Sequence, residues 1–172
     1  MLIGNREIFA VECEIENVID GWVLGRFFLW IHGVVVGDQD DYSVDMNGCL
    51  KWLHDFVENP KNRYEPGLYD MHKDQVFLRL ASSVLAHEDP QELIDETYED
   101  TFSRFHISHI GMSSFDCATL LFLKNEHGLE RLVWKVRCEE VSDAHLNPGE
   151  VEQVFLITIR ELEETISHSS TC

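Results

Sequence analysis

Between Phe9 and Glu16 the chain alternates strictly, with Phe9, Val11, Cys13 and Ile15 set against Ala10, Glu12, Glu14 and Glu16. That period of two predicts a strand with one face on a core and one in water. Asn17 to Gly21 supplies turn residues, and the run Trp22 to Ile31 is rich enough in aromatic and aliphatic residues to pair with the first strand and be covered on both faces. His32-Gly33 turns the chain again into a short strand over Val34–Val36, which Gly37-Asp38 ends. Three antiparallel strands can therefore form from local contacts alone.

Beyond the acidic loop Asp38-Gln-Asp-Asp41, the period changes. Ser43 is placed to cap a helix whose apolar positions Met46, Leu50, Leu53 and Val57 recur at helical spacing until Pro60 stops it. A loop containing Pro66-Gly67 follows, and 74–86 predicts a second helix with Phe77, Leu80, Ala81, Val84 and Leu85 toward the core, although Val76-Phe-Leu could equally open a strand. Asp89-Pro-Gln-Glu92 combines an N-cap, proline at the first helical position and a capping-box glutamate. The helix it opens carries Ile94, Tyr98, Phe102 and Phe105 on one side, with Glu92, Asp95, Glu96, Glu99 and Asp100 largely opposite as a negative stripe.

Phe115 to Leu123 is again strand-like, Glu126-His-Gly128 predicts a hairpin turn, and the chain returns from Leu129 to Cys138 with Leu132, Trp134 and Val136 on one face. Both strands are expected to extend the N-terminal sheet. After Asn147-Pro148-Gly149, the positions Val151, Val154, Phe155, Thr158 and Leu162 follow helical spacing. The β-branched run over 155–159 also suits a strand, and the helix is preferred. Residues 166–172 are expected to fray. The pattern predicts an α+β fold: a single domain over residues 1–172, a mainly antiparallel sheet of about five strands and several covering helices, with one core.

Charge changes this picture most. With 13 Lys and Arg against 32 Asp and Glu, the formal net charge is -19. A field of that sign repels nucleic acid and anionic membrane and attracts a basic protein, although acidic surfaces also serve solubility alone. The five cysteines are scattered, with no C-x-x-C pair, and read as reduced thiols rather than a disulfide framework or zinc site. Met1 to Glu7 lacks the basic and apolar regions of a signal peptide, and no apolar run is long enough to span a bilayer, so a cytoplasmic protein is expected.

Candidate chemistry is sparse. His106 and His109 stand three apart, but no further ligand at a defined spacing accompanies them, and chance pairing among nine histidines is the better explanation. Asp38–Asp41 resembles the start of a calcium loop, yet Ser43 occupies the position that needs Gly and Cys49 the one that needs Glu. There is no Gly-x-Ser-x-Gly elbow, no cysteine in a recognisable catalytic context with a basic neighbour and no Gly-rich phosphate loop. Close carboxylate pairs must exist among so many acids, and sequence spacing does not identify a catalytic one. The aromatic run Trp22, Phe27, Phe28 and Trp30 suits a core more than a ligand cavity. These residues support neither enzyme nor cofactor.

Ile3-Gly4, Phe9-Ala-Val-Glu12, Ile15, Trp22, Gly25, Trp30-Ile-His-Gly33, Val36-Gly-Asp38 and the following helix with Leu50 and Leu53 together resemble the immunity proteins of bacterial polymorphic toxin and contact-dependent growth inhibition systems. The similarity covers the first third of the chain well and the rest in layout. It implies a non-catalytic binding protein that seizes the C-terminal domain of a cognate toxin, many of which are nucleases with basic clefts. The contact surface expected on charge is the loop acids Asp38, Asp40 and Asp41 with Glu92, Asp95, Glu96, Glu99 and Asp100. The alternative is a small-ligand or regulatory module using the aromatic residues of the sheet.

Overall fold

The computed structural model describes residues 1–85, 103–107 and 112–169. Its first sheet contains β1 (Leu2–Asn5), β2 (Phe9–Ile19), β3 (Trp22–Ile31) and β4 (Val34–Val36) in sequence order, with β5 (Val44–Asp45) also pairing β3. Every pairing is antiparallel. The α+β class and the antiparallel sheet agree with the sequence pattern. The expected turn over 17–21 contracts to two residues, because Asp20 (φ 50) and Gly21 (φ 85) both adopt the left-handed region that a tight two-residue hairpin requires. Asn17, Val18 and Ile19 are thereby released to pair with Leu24, Val23 and Trp22. A bulge between Ile15 and Asn17 shifts the register. Opposite it, Gly25 lets the strands approach closely, since a Cβ there would lie 2.0 Å from the Glu14 carbonyl oxygen.

Helix α1 (Met46–Glu58) starts two residues later than Ser43 predicts, because the Asp45 side chain accepts from the Asn47 amide at 3.0 Å and is the cap. Its buried residues are Met46, Cys49, Leu53 and Phe56, so the inward face is rotated from the expected one and Leu50 and Val57 only flank the core. Helix α2 (Lys73–Leu85) lies where it was expected and buries Leu80 and Ala81, but Val76, absent from the expected inward face, is also buried and Phe77 only flanks the second cluster. The helix expected after Asp89 lies outside the described residues apart from its last core residue, Phe105, which is buried in a 3-10 turn over Ser103–Phe105.

The second hairpin departs from expectation. Strands β6 (Ala118–Lys124) and β7 (Glu130–Val136) form a separate antiparallel sheet with β8 (Ser142–Leu146), whose polar sequence gave little strand signal. The reason is that both faces of this sheet carry apolar side chains. Leu120, Phe122, Leu132 and Trp134 join the main core, and Leu121, Leu123 and Val133 form a second cluster with Leu68, Tyr69, Val76, Leu80 and Phe105. A single core is thus replaced by two clusters on opposite sides of the C-terminal sheet.

Helix α3 (Glu150–Ser169) confirms the helical reading and extends through most of the segment expected to fray, with Ile166 packed against the core. Fully buried Glu130 on β7 fixes its start, accepting from the Gly149 and Val151 amides at 3.0 Å each. Rings link the two sheets through the helices: Phe9 of β2 meets Phe155 of α3 at 5.7 Å, Phe155 meets Phe56 of α1 at 5.0 Å, and Phe56 meets Phe122 of β6 at 5.9 Å. This frame holds the first sheet by its inner face and leaves much of its outer face to solvent.

Candidate functional site

Strand β3 divides its side chains by the pleat. Val23, Phe27, Leu29 and Ile31 point into the core, and Trp22, Leu24, Arg26, Phe28 and Trp30 occupy the outward positions. The aromatic run that suggested a core or an enclosed cavity is therefore split between the two sides. Trp30 is half-buried on the outer face, where its Nε1 donates to the Glu12 carboxylate at 2.7 Å and the Arg6 guanidinium stacks 4.7 Å from its ring. Arg6 also pairs with Glu12 at 2.7 Å. Further along, Arg26 bonds Glu14, lies 3.5 Å from Glu16 and stacks over Tyr42 at 4.9 Å.

Tyr42 belongs to the acidic loop, so this stack lays the loop against the sheet. Within the loop, the Asp38 carboxylate accepts from the Asp40 amide at 2.9 Å, and the Asp38 amide donates to the Ser114 carbonyl at 2.7 Å. Asp41 accepts from the Ser43 amide and hydroxyl and from the Ser113 hydroxyl. Partial burial pushes the Asp41 pKa up, but the hydrogen bonds from Ser113 and Ser43 outweigh it and hold the carboxyl below its usual value. Asp41 is thus an anchor that shapes the loop, Asp38 is half-buried, and Asp40 is exposed. Glu92, Asp95, Glu96, Glu99 and Asp100 lie outside the described residues.

Charged groups elsewhere serve the fold. Arg63 is buried against the rings of Phe56 and Phe122, and burial pulls its pKa down to about 10 against the opposing pull of Glu152 and Glu130. Arg131 is buried against Asp143 and the carbonyls of Tyr69 and Met71. Burial raises the thiol of Cys13 to about 12 and raises Cys49 as well, which suppresses their thiolates. His106 meets the Leu80 carbonyl at 3.1 Å, whereas His109 lies outside the described residues. Among the described residues no three His, Cys, Asp or Glu gather as a metal site, and no helix is long and apolar enough to cross a membrane.

Comparison with known proteins gives this geometry a context. The family model for immunity protein 42 matches residues 1–161. The chain belongs to that family. A solved structure, CdiI from Burkholderia dolosa AUO158, is similar to it with a TM-score of 0.74 at 14% identity, covering 94% of this chain and 99% of that one. At that identity the likeness shows the fold. No curated protein matches the sequence. The resemblance carried by Ile3-Gly4, Trp30–Gly33 and Val36–Asp38 is thus confirmed at the level of family and fold. Sequence reasoning missed Arg6, Arg26 and Tyr42 as surface residues of this immunity protein. The signal was present in β3, where every second residue from Trp22 to Trp30 is aromatic, aliphatic or Arg, a face that one-sided alternation does not produce.

Proposed function

We propose that this chain is a cytoplasmic inhibitor without catalysis, which binds the C-terminal domain of its cognate toxin and blocks the active site or the access of substrate. The observation that carries this reading is the immunity protein 42 match across residues 1–161. The toxin is proposed to be a nuclease. Its basic substrate cleft would meet, in a protein of net charge -19, an electrostatic substitute for nucleic acid. Asp38 and Asp40 would approach Lys and Arg of the toxin with Asp41 holding the loop in shape, and Glu92, Asp95, Glu96, Glu99 and Asp100 are proposed as a second acidic contact.

Co-expression with the toxin domain encoded by the adjacent reading frame tests the function, with restored growth as the expected result. Growth arrest despite soluble, folded protein would overturn the reading. Charge reversal tests the contact. The variants Asp38→Lys with Asp40→Lys, or Glu92→Lys with Glu96→Lys and Glu99→Lys, should slow association and flatten its dependence on salt, because exposed charges govern encounter more than residence. An unchanged association rate in both variants would remove these acids from the interface.

A further inference from the structure

We propose that the outward face of the β2–β3 hairpin end, where Trp22 adjoins Ile19, anchors the toxin domain, and that it seats in a toxin crevice with an apolar floor and a rim of Lys and Arg. The proposal rests on the toxin-binding reading and adds the surface that does the holding. An antiparallel sheet covered on one face ordinarily presents polar residues on the other. Here the outward positions of β3 are Trp22, Leu24, Arg26, Phe28 and Trp30, of which Trp22 is exposed, Leu24, Arg26 and Trp30 are half-buried and Phe28 is buried.

The apolar exposure is concentrated at the hairpin end, where every residue from Glu16 to Trp22 is exposed. Ile19 and Trp22 are paired directly across the strands, and they remain 54% and 60% exposed. Direct partners on a pleated sheet project from the same face, so these two side chains make one adjoining apolar surface. Exposed Leu78 on α2 and Leu156 on α3 differ, since each is the only exposed large apolar residue of its helix among the described side chains. Scattered single residues need no partner, whereas a contiguous group on a projecting hairpin marks an interface.

Two further properties fix the kind of partner. The left-handed Asp20-Gly21 turn and the strand pairing beneath it hold Trp22 in place before binding, which lowers the ordering cost of association. The composition of Trp, Tyr and Arg is that of an interface hot spot. Glu14, Glu16 and Asp20 flank the apolar group, and the nearby Arg26 already pairs with the first two, leaving a net negative border that a basic rim complements. Acids of the 38–41 loop would then steer the encounter, and the hairpin face would set the residence time.

The test measures association and dissociation of the full chain with the toxin domain of the adjacent gene, comparing wild type, a double Ile19→Ser and Trp22→Ser variant, and a control carrying Leu78→Ser and Leu156→Ser. The expected result is an affinity loss of roughly 30-fold or more in the hairpin variant, borne by faster dissociation, with its melting temperature retained and the control within about twofold of wild type. Wild type that binds and protects while the hairpin variant stays within about threefold overturns the anchor and leaves the toxin reading standing. Wild type that neither binds nor protects overturns both. Should the free chain be a dimer that the hairpin variant dissociates without loss of toxin affinity, the face is a self-interface and the proposal is wrong.

Discussion

The two sheets of this protein solve different problems with similar residues. The C-terminal sheet is packed on both faces, with Phe122 and Trp134 in one cluster and Leu121 and Val133 in the other, and its central strands read as continuous apolar runs. The N-terminal sheet packs Phe27 and Leu29 on its inner face and leaves Trp22, Arg26 and Trp30 outside. An apolar residue therefore means different things in the two sheets. In one it is core whichever way it points, and in the other the inward positions Phe27, Leu29 and Ile31 are core while the outward ones range from buried Phe28 to exposed Trp22.

Alanine substitution should expose that asymmetry, and the largest effects belong to the inward rings. Phe27→Ala and Phe122→Ala are each expected to lower the unfolding free energy by about 3 to 5 kcal/mol in urea titrations. Leu121→Ala, on the opposite face of the C-terminal sheet, should cost about 2 to 5 kcal/mol by the same measurement. A cost below about 1 kcal/mol at Leu121 would mean that the second cluster is not a core and would break the comparison.

Trp30 sharpens the contrast within a single strand. Its sequence context suggests a core ring with the same 3 to 5 kcal/mol penalty, roughly that of any buried aromatic. The structure instead gives it a half-buried site, a hydrogen bond to Glu12 and a stack with Arg6. Trp30→Ala is accordingly expected to cost only about 1 to 2 kcal/mol, and a loss equal to that of Phe27→Ala would contradict its outward placement.

The smallest expected effect lies at the helical junction between the sheets. His54 of α1 bonds Glu163 of α3 at 2.9 Å and Glu58 at 3.1 Å. Its pKa is raised chiefly by Glu163, with burial opposing and Glu58 adding to the rise. A raised histidine pKa contributes stability that is fully present below the ordinary value of 6.5 and is lost as pH rises through the higher folded value. The melting temperature of wild type should therefore fall slightly across that window relative to His54→Gln. The pair is exposed and solvent-screened, so the difference in slope should be small, and parallel profiles would show that the bridge contributes nothing.

How much of this was legible beforehand varies by element. The β2–β3 hairpin, α2 and α3 follow from periodicity and turn residues because their pairing or burial is decided within a short stretch. Strand β8 did not show, since Ser142-Asp-Ala-His-Leu146 gains its strand character from pairing with β7 rather than from its own side chains. The candidate site was half legible. Asp38, Asp40 and Asp41 were evident as an acidic loop, yet only the fold shows Asp41 spent on Ser43 and Ser113 and Tyr42 laid over Arg26.

The sequence by itself determined the family, the α+β class, the order of most elements and the charge, because local period, turn chemistry and composition are properties of neighbouring residues. Tertiary structure decided which sheet each strand joined, which way α1 faced, that Glu130 caps α3 from a distant strand, and that Trp22 and Trp30 of the β3 aromatics reach solvent while Phe27 and Phe28 are buried. Those choices depend on what arrives from elsewhere in the chain to cover a face. A strand pattern records that a face is apolar, and only packing determines whether the chain itself covers it.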